Sequence, residues 1–485
     1  MELCDQYVHE LIQLVPELND FHQLPEYKHL RSKYSNTLTK EFQKKERQLI
    51  HKYYTLVSRK TPKSFYDTIF LDDLKLMKQE SRYLSLDHIP IDSLNNFPLD
   101  YISGLYGETD YEFTDTQSYR DYIERFKGIP EITESIVYNM KQGIRKKDTL
   151  PRIIVLDLIN QYKNKLEIDI SSLKLSPIVH KLCRESIDTY LIPSIKKLLN
   201  FLQEDYLCHC STKLGLYSIS GGLSVYRGLV EEQTMKGYTP KLIHQLGLRE
   251  VRRITKRLLA LKRKMKFKGS LPEFYKYTRK PFTTKQQIVE ISKKQQKQIY
   301  ETIYKRYFHC ELKKQDLSDI KRVKDNKSRM YAFYVGTKKR GTFYVNANHF
   351  EDLNQYELKT LTLHETIPGH HLQLLTHNRS KTLPLYVQNS HNTGYIEGWG
   401  LYCENFIDLH SDKELVSKYL YELQRAVRLV VDTGIHAFKW SYQKSFDYMK
   451  QHLDSVEKGD PKPGFGRTDI KEEVVKEGTW AIPDT

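Results

Sequence analysis

Residues 361 to 375 read LTLHETIPGHHLQLL, and both the fold and the chemistry turn on how this stretch runs. Its apolar residues recur as in a buried helix, yet His364, Glu365, His370 and His371 fall within it. Polar groups on such a face need partners, since a buried polar group left unpaired costs about 1–3 kcal/mol. In an unbroken helix the pattern H-E-x-x-H sets two imidazoles about 6 Å apart along one face, where both reach one metal ion and the Glu serves as base. Here the fifth position is Pro368. A regular helix does not repair this: His371 returns to the face of His364 only about 10 Å further on, and His370 points elsewhere. Pro368 cannot donate to the His364 carbonyl and disfavours α geometry at Ile367, so the helix is expected to break there. Gly369 can take positive φ, which lets the two extra residues bulge and brings either His370 or His371 back to His364 and Glu365.

Working outward, Tyr395 to Phe406 (YIEGWGLYCENF) places Glu397 and Glu404 seven residues apart, on one helical face. Two His and one carboxylate suit Zn2+ with an open fourth position. Glu397 is therefore the expected third ligand, and Glu404 the expected hydrogen-bond partner that fixes a ligating imidazole. Glu365 then takes the proton of an attacking water, and the reaction class is amide hydrolysis. A plain core helix would need a separate reason for four polar groups and a helix breaker. Just upstream, Met330 to Val335 (MYAFYV) and Thr342 to Asn346 (TFYVN) flank a Gly-bounded turn and read as a β-hairpin. Such an edge can add an extended peptide as a further strand, or serve only as a structural ribbon.

The rest of the chain reads as helix. Its 485 residues hold 39% hydrophobic and 28% charged residues, with 22 Gly and 17 Pro, too few for a sandwich of many tight turns. Apolar residues recur at three- and four-residue intervals in Gln117 to Phe126, Pro130 to Arg145, Arg152 to Leu166 and Ser176 to Gln203. The expected fold is mainly α, with one small hairpin just before the His364 segment. The expected regions are an N-terminal helical region (1–110), a catalytic region (111–455) and a short irregular tail (456–485). No long apolar run and no basic-then-apolar N-terminus occur, so a soluble, cytoplasmic protein is expected, with oligomeric state left open. Six scattered cysteines fit a reducing compartment. Cys208 and Cys210 flank His209 but lack a second cluster for zinc, so two buried thiols are expected there. Lys and Arg exceed Asp and Glu by 77 to 61, a net charge of +16. Residues 252 to 268 (RRITKRLLALKRKMKFK) form an amphipathic basic helix, a solvated face or a contact for nucleic acid or an acidic surface.

HETIPGHHLQ followed by EGWGLYCE resembles the domain-of-unknown-function family 885 (DUF885), whose motifs are H-E-x-x-P-G-H-H-x-Q and E-G-W-x-L-Y-x-E. Further likeness runs in order through Ile129-Pro130, Pro151-Arg152, residues 215 to 254, FYVN at 343–346 and Arg425 to Trp440. The family is itself compared with zinc peptidases of the gluzincin type, such as angiotensin-converting enzyme. The resemblance implies a large all-helical metallopeptidase-like fold with a deep cleft and one small β-hairpin near the active site, zinc on His364, His370 and Glu397, with His371 as the alternative ligand, and Glu365 as general base. It also points to Arg425, Arg428, Asp432 and His436, spaced to share a helical face. His436 would donate to the oxyanion, and Arg428, with Tyr402, would contact a peptide substrate; the alternative is an internal salt-bridge ladder of Arg425, Arg428 and Asp432. The family's Pro-Gly-Gln-Ala-Leu-x-Tyr-Lys segment is reduced here to KPGFGR at 462–467. The implied function is a zinc metallopeptidase, a hydrolase acting on short or unfolded peptides. The alternative is an impaired pseudopeptidase that binds peptides or polyanions.

Overall fold

A computed structural model describes residues 3–453 except 81–82, 84, 172, 174, 235–236, 310–311, 325–331, 337–339, 349, 351–352, 389–391 and 407–409. The expected tail 456–485 and residues 330–331 of the expected hairpin lie outside the described residues. The chain is mainly α, as the composition and spacing predict. It divides into two compact units, one of Met1–Glu232 with Ser380–Ser390, the other of Gln233–Arg379 with His391–Gly478. The expected boundary at residue 110 falls inside the first unit. Among the described residues no helix is long and apolar enough to cross a membrane.

In the first unit, α1 (Leu3–Leu14), α2 (Lys40–Ser58) and α3 (Phe65–Glu80) enclose a core of Tyr7, Ile50, Tyr53, Val57, Phe70 and Leu74. The Thr39 hydroxyl accepts from the Phe42 N–H and caps α2. Two of the expected helices stand as α4 (Ile129–Lys146) and α5 (Arg152–Asn164). The expected helix over 176–203 runs as Pro177–Ser186 and Ile192–Asn200 joined by a π turn at Ile187–Leu191. Pro193 lies at the start of the second piece. A proline there lacks the N–H that an unbroken α-helix requires, and the wider turn before it absorbs the mismatch. The two thiols of residues 208–210 are not both buried: Cys208 is exposed and Cys210 half-buried, donating to the carbonyls of Asp205 and Tyr206.

The second unit begins with α6 (Pro240–Lys264) and α7 (Lys285–Ile299). A three-stranded sheet follows, of β1 (Asp319–Arg322), β2 (Ala332–Val335) and β3 (Thr342–Val345), in the order β1-β3-β2. β2 and β3 pair antiparallel with Phe333 opposite Tyr344, which is the expected hairpin. β1 pairs parallel to β3 and was not legible, because DIKR alternates only once between apolar and polar. The longer helices after the sheet are α8 (Glu357–Glu365), α9 (His370–Arg379), α10 (Thr393–Cys403), α11 (Asp412–His436) and α12 (Tyr442–Leu453). Ile320, Phe343 and Val345 of the sheet pack with Ile288 of α7 and with Leu358 and Leu361 of α8. All nine residues of α8 are buried, so its polar side chains are enclosed by neighbouring helices.

Candidate metal centre

The helix breaks where the sequence predicts. α8 ends at Glu365, the Ile367–Pro368 peptide is cis, and α9 starts at His370. The Gly369 N–H donates to the Leu363 carbonyl at 3.1 Å, and the His371 N–H to the Thr366 carbonyl at 3.0 Å, so the kink is itself hydrogen-bonded. The reason for Gly369 differs from the expectation. It is not among the glycines with positive φ. A Cβ at this position would instead fall on the His364 carbonyl oxygen, so the requirement is close approach of backbone to backbone.

The kink turns His370, not His371, toward His364. Their Nε2 atoms stand 3.1 Å apart. Glu397 of α10 completes the group, with Oε2 at 3.2 Å from His364 Nε2 and Oε1 at 3.4 Å from His370 Nε2. These three residues form the single cluster among the described residues that could hold a metal, with donor atoms all within 4.8 Å of one another. A tetrahedral ion with bonds of about 2.0–2.1 Å separates its ligand atoms by about 3.4 Å, so the donor set fits Zn2+. His371 is committed elsewhere. Its Nε2–H donates to the Asp316 carbonyl at 2.7 Å, and its Nδ1 accepts from the Tyr334 hydroxyl at 2.8 Å, which ties α9 to β2. Burial, above all, lowers its pKa to about 4 and keeps the ring neutral.

Each facing imidazole is held from behind. His364 Nδ1 lies 2.9 Å from Glu404 Oε1, and the Arg425 guanidinium of α11 grips the same carboxylate at 2.9 and 3.4 Å. His370 Nδ1 lies 3.4 Å from Gln373 Oε1, one turn along its own helix. Both Nδ1–H groups thus have acceptors, leaving the Nε2 lone pairs for a cation. Gly400 of α10 makes room: a Cβ there would stand 2.6–2.8 Å from the His364 ring. Trp399 Nε1 donates to the Pro368 carbonyl at 2.9 Å and fixes α10 against the kink. Gln373, Gly400 and the pairing of Arg425 with Glu404 were not singled out as supports of the site. Position alone could have suggested two of them, since Gln373 is three residues from His370 and Gly400 three from Glu397.

The titratable groups of the centre act on one another. Burial pulls the His364 pKa down, but hydrogen bonds to Glu397 and Glu404 outweigh it and raise it to about 10. Burial pushes Glu397 and Glu404 up, yet the neighbouring His and Arg groups hold both below the usual carboxylate range. The His364 imidazolium therefore occupies the electrostatic place of a cation. Glu365, next in sequence, is 7% exposed, and burial raises its pKa against the lowering effect of His364 and His370.

Of the other expected site residues, Arg428 is half-buried on α11. His436 is buried, with Nε2 at 3.8 Å from Asp432 Oδ1, and lies about 16 Å along α11 from Arg425. Arg425 pairs with Glu404. Tyr402 is 60% exposed and packs on Trp399 and Phe406, about 140° round α10 from Glu397.

Comparison with known proteins adds a family and a fold. A family model described as "Bacterial protein of unknown function (DUF885)" matches residues 24–458. No curated protein matches the chain. Among solved structures, a putative lipoprotein from Colwellia psychrerythraea superposes with a TM-score of 0.81 at 18% identity, covering 99% of this chain and 88% of that one. A putative lipoprotein of unknown function from Shewanella oneidensis gives 0.67 at 14% identity, covering 98% and 88%. At these identities the likeness is one of fold.

Proposed function

Because the chain belongs to the DUF885 family, whose function is not defined, we propose from its own residues that it is a zinc-dependent peptidase acting on short or unfolded peptides. The observation that carries this reading is the convergence of His364 Nε2, His370 Nε2 and a Glu397 carboxylate, each imidazole backed by an acceptor on Nδ1. His364, His370 and Glu397 would hold the ion. Zinc, when bound, supplies a Lewis acid that polarises a carbonyl and acidifies water. Glu365 is buried beside the ligands, where a carboxylate with a raised pKa can take a proton and later return it to the leaving amine. Arg428 offers a guanidinium to a substrate carboxylate, and His436 a donor to the oxyanion. We further propose a reducing, cytoplasmic location, from the scattered spacing of the six cysteines.

Glu365→Gln tests the reading. Cleavage of a mixed library of short peptides, followed by mass spectrometry, should fall by about 100-fold or more. Bound zinc, measured on the same preparation, should stay within about threefold. A wild-type protein that holds zinc but cleaves no peptide would overturn the peptidase assignment while leaving the metal centre standing.

A further inference from the structure

α6 packs one side along α11 through Ile243, Gly247, Val251, Ile254, Leu258 and Leu261. At Gly247 a Cβ would meet Val430 Cγ2 at 2.8 Å, so the two helices approach closely. Part of the basic charge of residues 252–268 is spent on this contact. Arg253 pairs with Glu422, Lys264 Nζ stands 2.6 Å from Asp412 Oδ1, and Arg257 donates to the Tyr419 hydroxyl at 3.1 Å.

Lys262 lies on another side of α6, and Lys266 and Lys268 follow its end; on the outward face of the helix the remaining cations form a row. Lys241, Arg249, Arg252, Lys256 and Arg263 are all exposed. At 100° per residue they fall within an arc of about 80° opposite the buried side, over about 33 Å of helix. The other residues of that arc, Gln245 and Leu259, carry no charge. Arg249 stands 3.7 Å from Glu250, which turns toward Arg253. Lys241, Arg252, Lys256 and Arg263 make no ion pair among the described residues. Aligned cations without acidic partners repel one another, and a linear anion lying along them relieves that cost.

We propose that the outward face of α6 binds a single-stranded nucleic acid along its phosphates. Spacings of three, four and seven residues set the cations about 4.5, 6 and 10 Å apart. Long, flexible Lys and Arg side chains bridge such steps along one strand of phosphates, which recur every several ångströms. A lipid surface is the poorer fit, because the continuous apolar side of α6 is consumed by α11 and only separate leucines, Leu242, Leu248 and Leu259, are left toward solvent. The site is independent of the metal centre and needs no catalysis.

The test uses the full-length protein and a labelled single-stranded RNA of about 20 nucleotides, titrated by fluorescence anisotropy at several salt concentrations. Four phosphate contacts predict a slope of about −3 in log K against log salt. Neutralising the row (Arg249→Gln, Arg252→Gln, Lys256→Gln, Arg263→Gln) should weaken binding at least tenfold and flatten the slope toward zero. A control of equal charge on α7 (Lys285→Gln, Lys293→Gln, Lys294→Gln, Lys297→Gln), exposed residues of the same unit, should cost less than about threefold. Equal losses in the two variants would mean attraction by net charge alone and overturn the proposal. So would tighter binding to phosphatidylglycerol vesicles than to RNA, abolished by the row variant, which would assign the face to a membrane. Circular dichroism of each variant shows whether it remains folded, and row variants made singly replace any that does not.

Discussion

The two halves of the broken helix hold their histidines in different ways. α8 presents His364 through Glu404, the residue that follows α10, whose carboxylate is itself clamped by Arg425 of α11, so three chain segments and three charges fix one ring. α9 presents His370 through a neutral amide on its own next turn. The first half is organised by tertiary structure and electrostatics, the second by helix spacing. The difference teaches that the proposed metal site need not be supported evenly: one candidate ligand can carry the charge balance of the centre while the other needs only its tautomer fixed.

The comparison depends on His370 being the facing residue of α9, and that is where the largest effect is expected. His370→Ala should lower zinc affinity by several orders of magnitude, as should His364→Ala, measured by competition with a chromogenic chelator. His371→Ala should change it by less than about threefold. It should instead destabilise the fold by about 1–3 kcal/mol in urea unfolding, since the Tyr334 hydroxyl and the Asp316 carbonyl lose their shared partner. The reverse pattern would break the comparison outright.

A second test concerns the burial of α8 itself. Glu357, at its start, is 1% exposed, accepts from Asn354 Nδ2 at 3.3 Å through Oε1, and has no partner on Oε2. Burial raises its pKa to about 8. A carboxyl whose folded pKa exceeds its unfolded value of about 4.5 favours the folded state most below pH 4.5, and that contribution is lost as pH rises through 8. Glu357→Gln removes the ionisation. Metal-free wild type should therefore lose stability relative to the variant between about pH 5 and pH 8, by on the order of a few kcal/mol. A constant difference across that range would show that Glu357 ionises freely and that α8 is not the closed, poorly solvated half described.

The sequence makes the second half easier to read than the first, for physical reasons. The break at Pro368 follows from a missing N–H, and the candidate ligands from spacing on a helix, so the kink and the set of His364, Glu397 and one of His370 and His371 were legible from residue types alone. Which histidine returns was open, because it depends on the path of four residues that no periodicity constrains. Gly369 was legible as special but for another reason: the need is for room against a carbonyl, which only the folded backbone reveals. Arg425 and Glu404 are 21 residues apart on different helices, and nothing local links them. The parallel strand β1 stayed hidden for a similar reason, since its partner β3 lies beyond a hairpin and supplies the apolar pattern that DIKR lacks. The exposure of Cys208 was misjudged because a thiol beside a chain turn carries no periodic signal.

The smallest effects separate the two supports. Glu404→Gln and Gln373→Leu each remove an acceptor from a ligand's Nδ1, and each should cost about 10–100-fold in zinc affinity, with Glu404→Gln at the upper end. Their pH dependence should differ. In the metal-free wild type His364 keeps its proton up to about pH 10, so zinc must displace it, and affinity should rise about tenfold per pH unit across the neutral range. Glu404 is one of the groups that raise this pKa. Its replacement by a neutral amide lowers the pKa of His364 and weakens the competing proton. The loss in Glu404→Gln should therefore be greatest near pH 9 and shrink toward pH 7. Gln373 carries no charge, so the loss in Gln373→Leu should stay nearly constant over the same range. Calorimetry in buffers of different ionisation enthalpy gives an independent count: about one proton released per zinc at pH 8 in the wild type and in Gln373→Leu, and fewer in Glu404→Gln. If the two variants released the same number, the charge balance of the centre would not reside in the α8 half, and the asymmetry between the halves would be one of geometry alone.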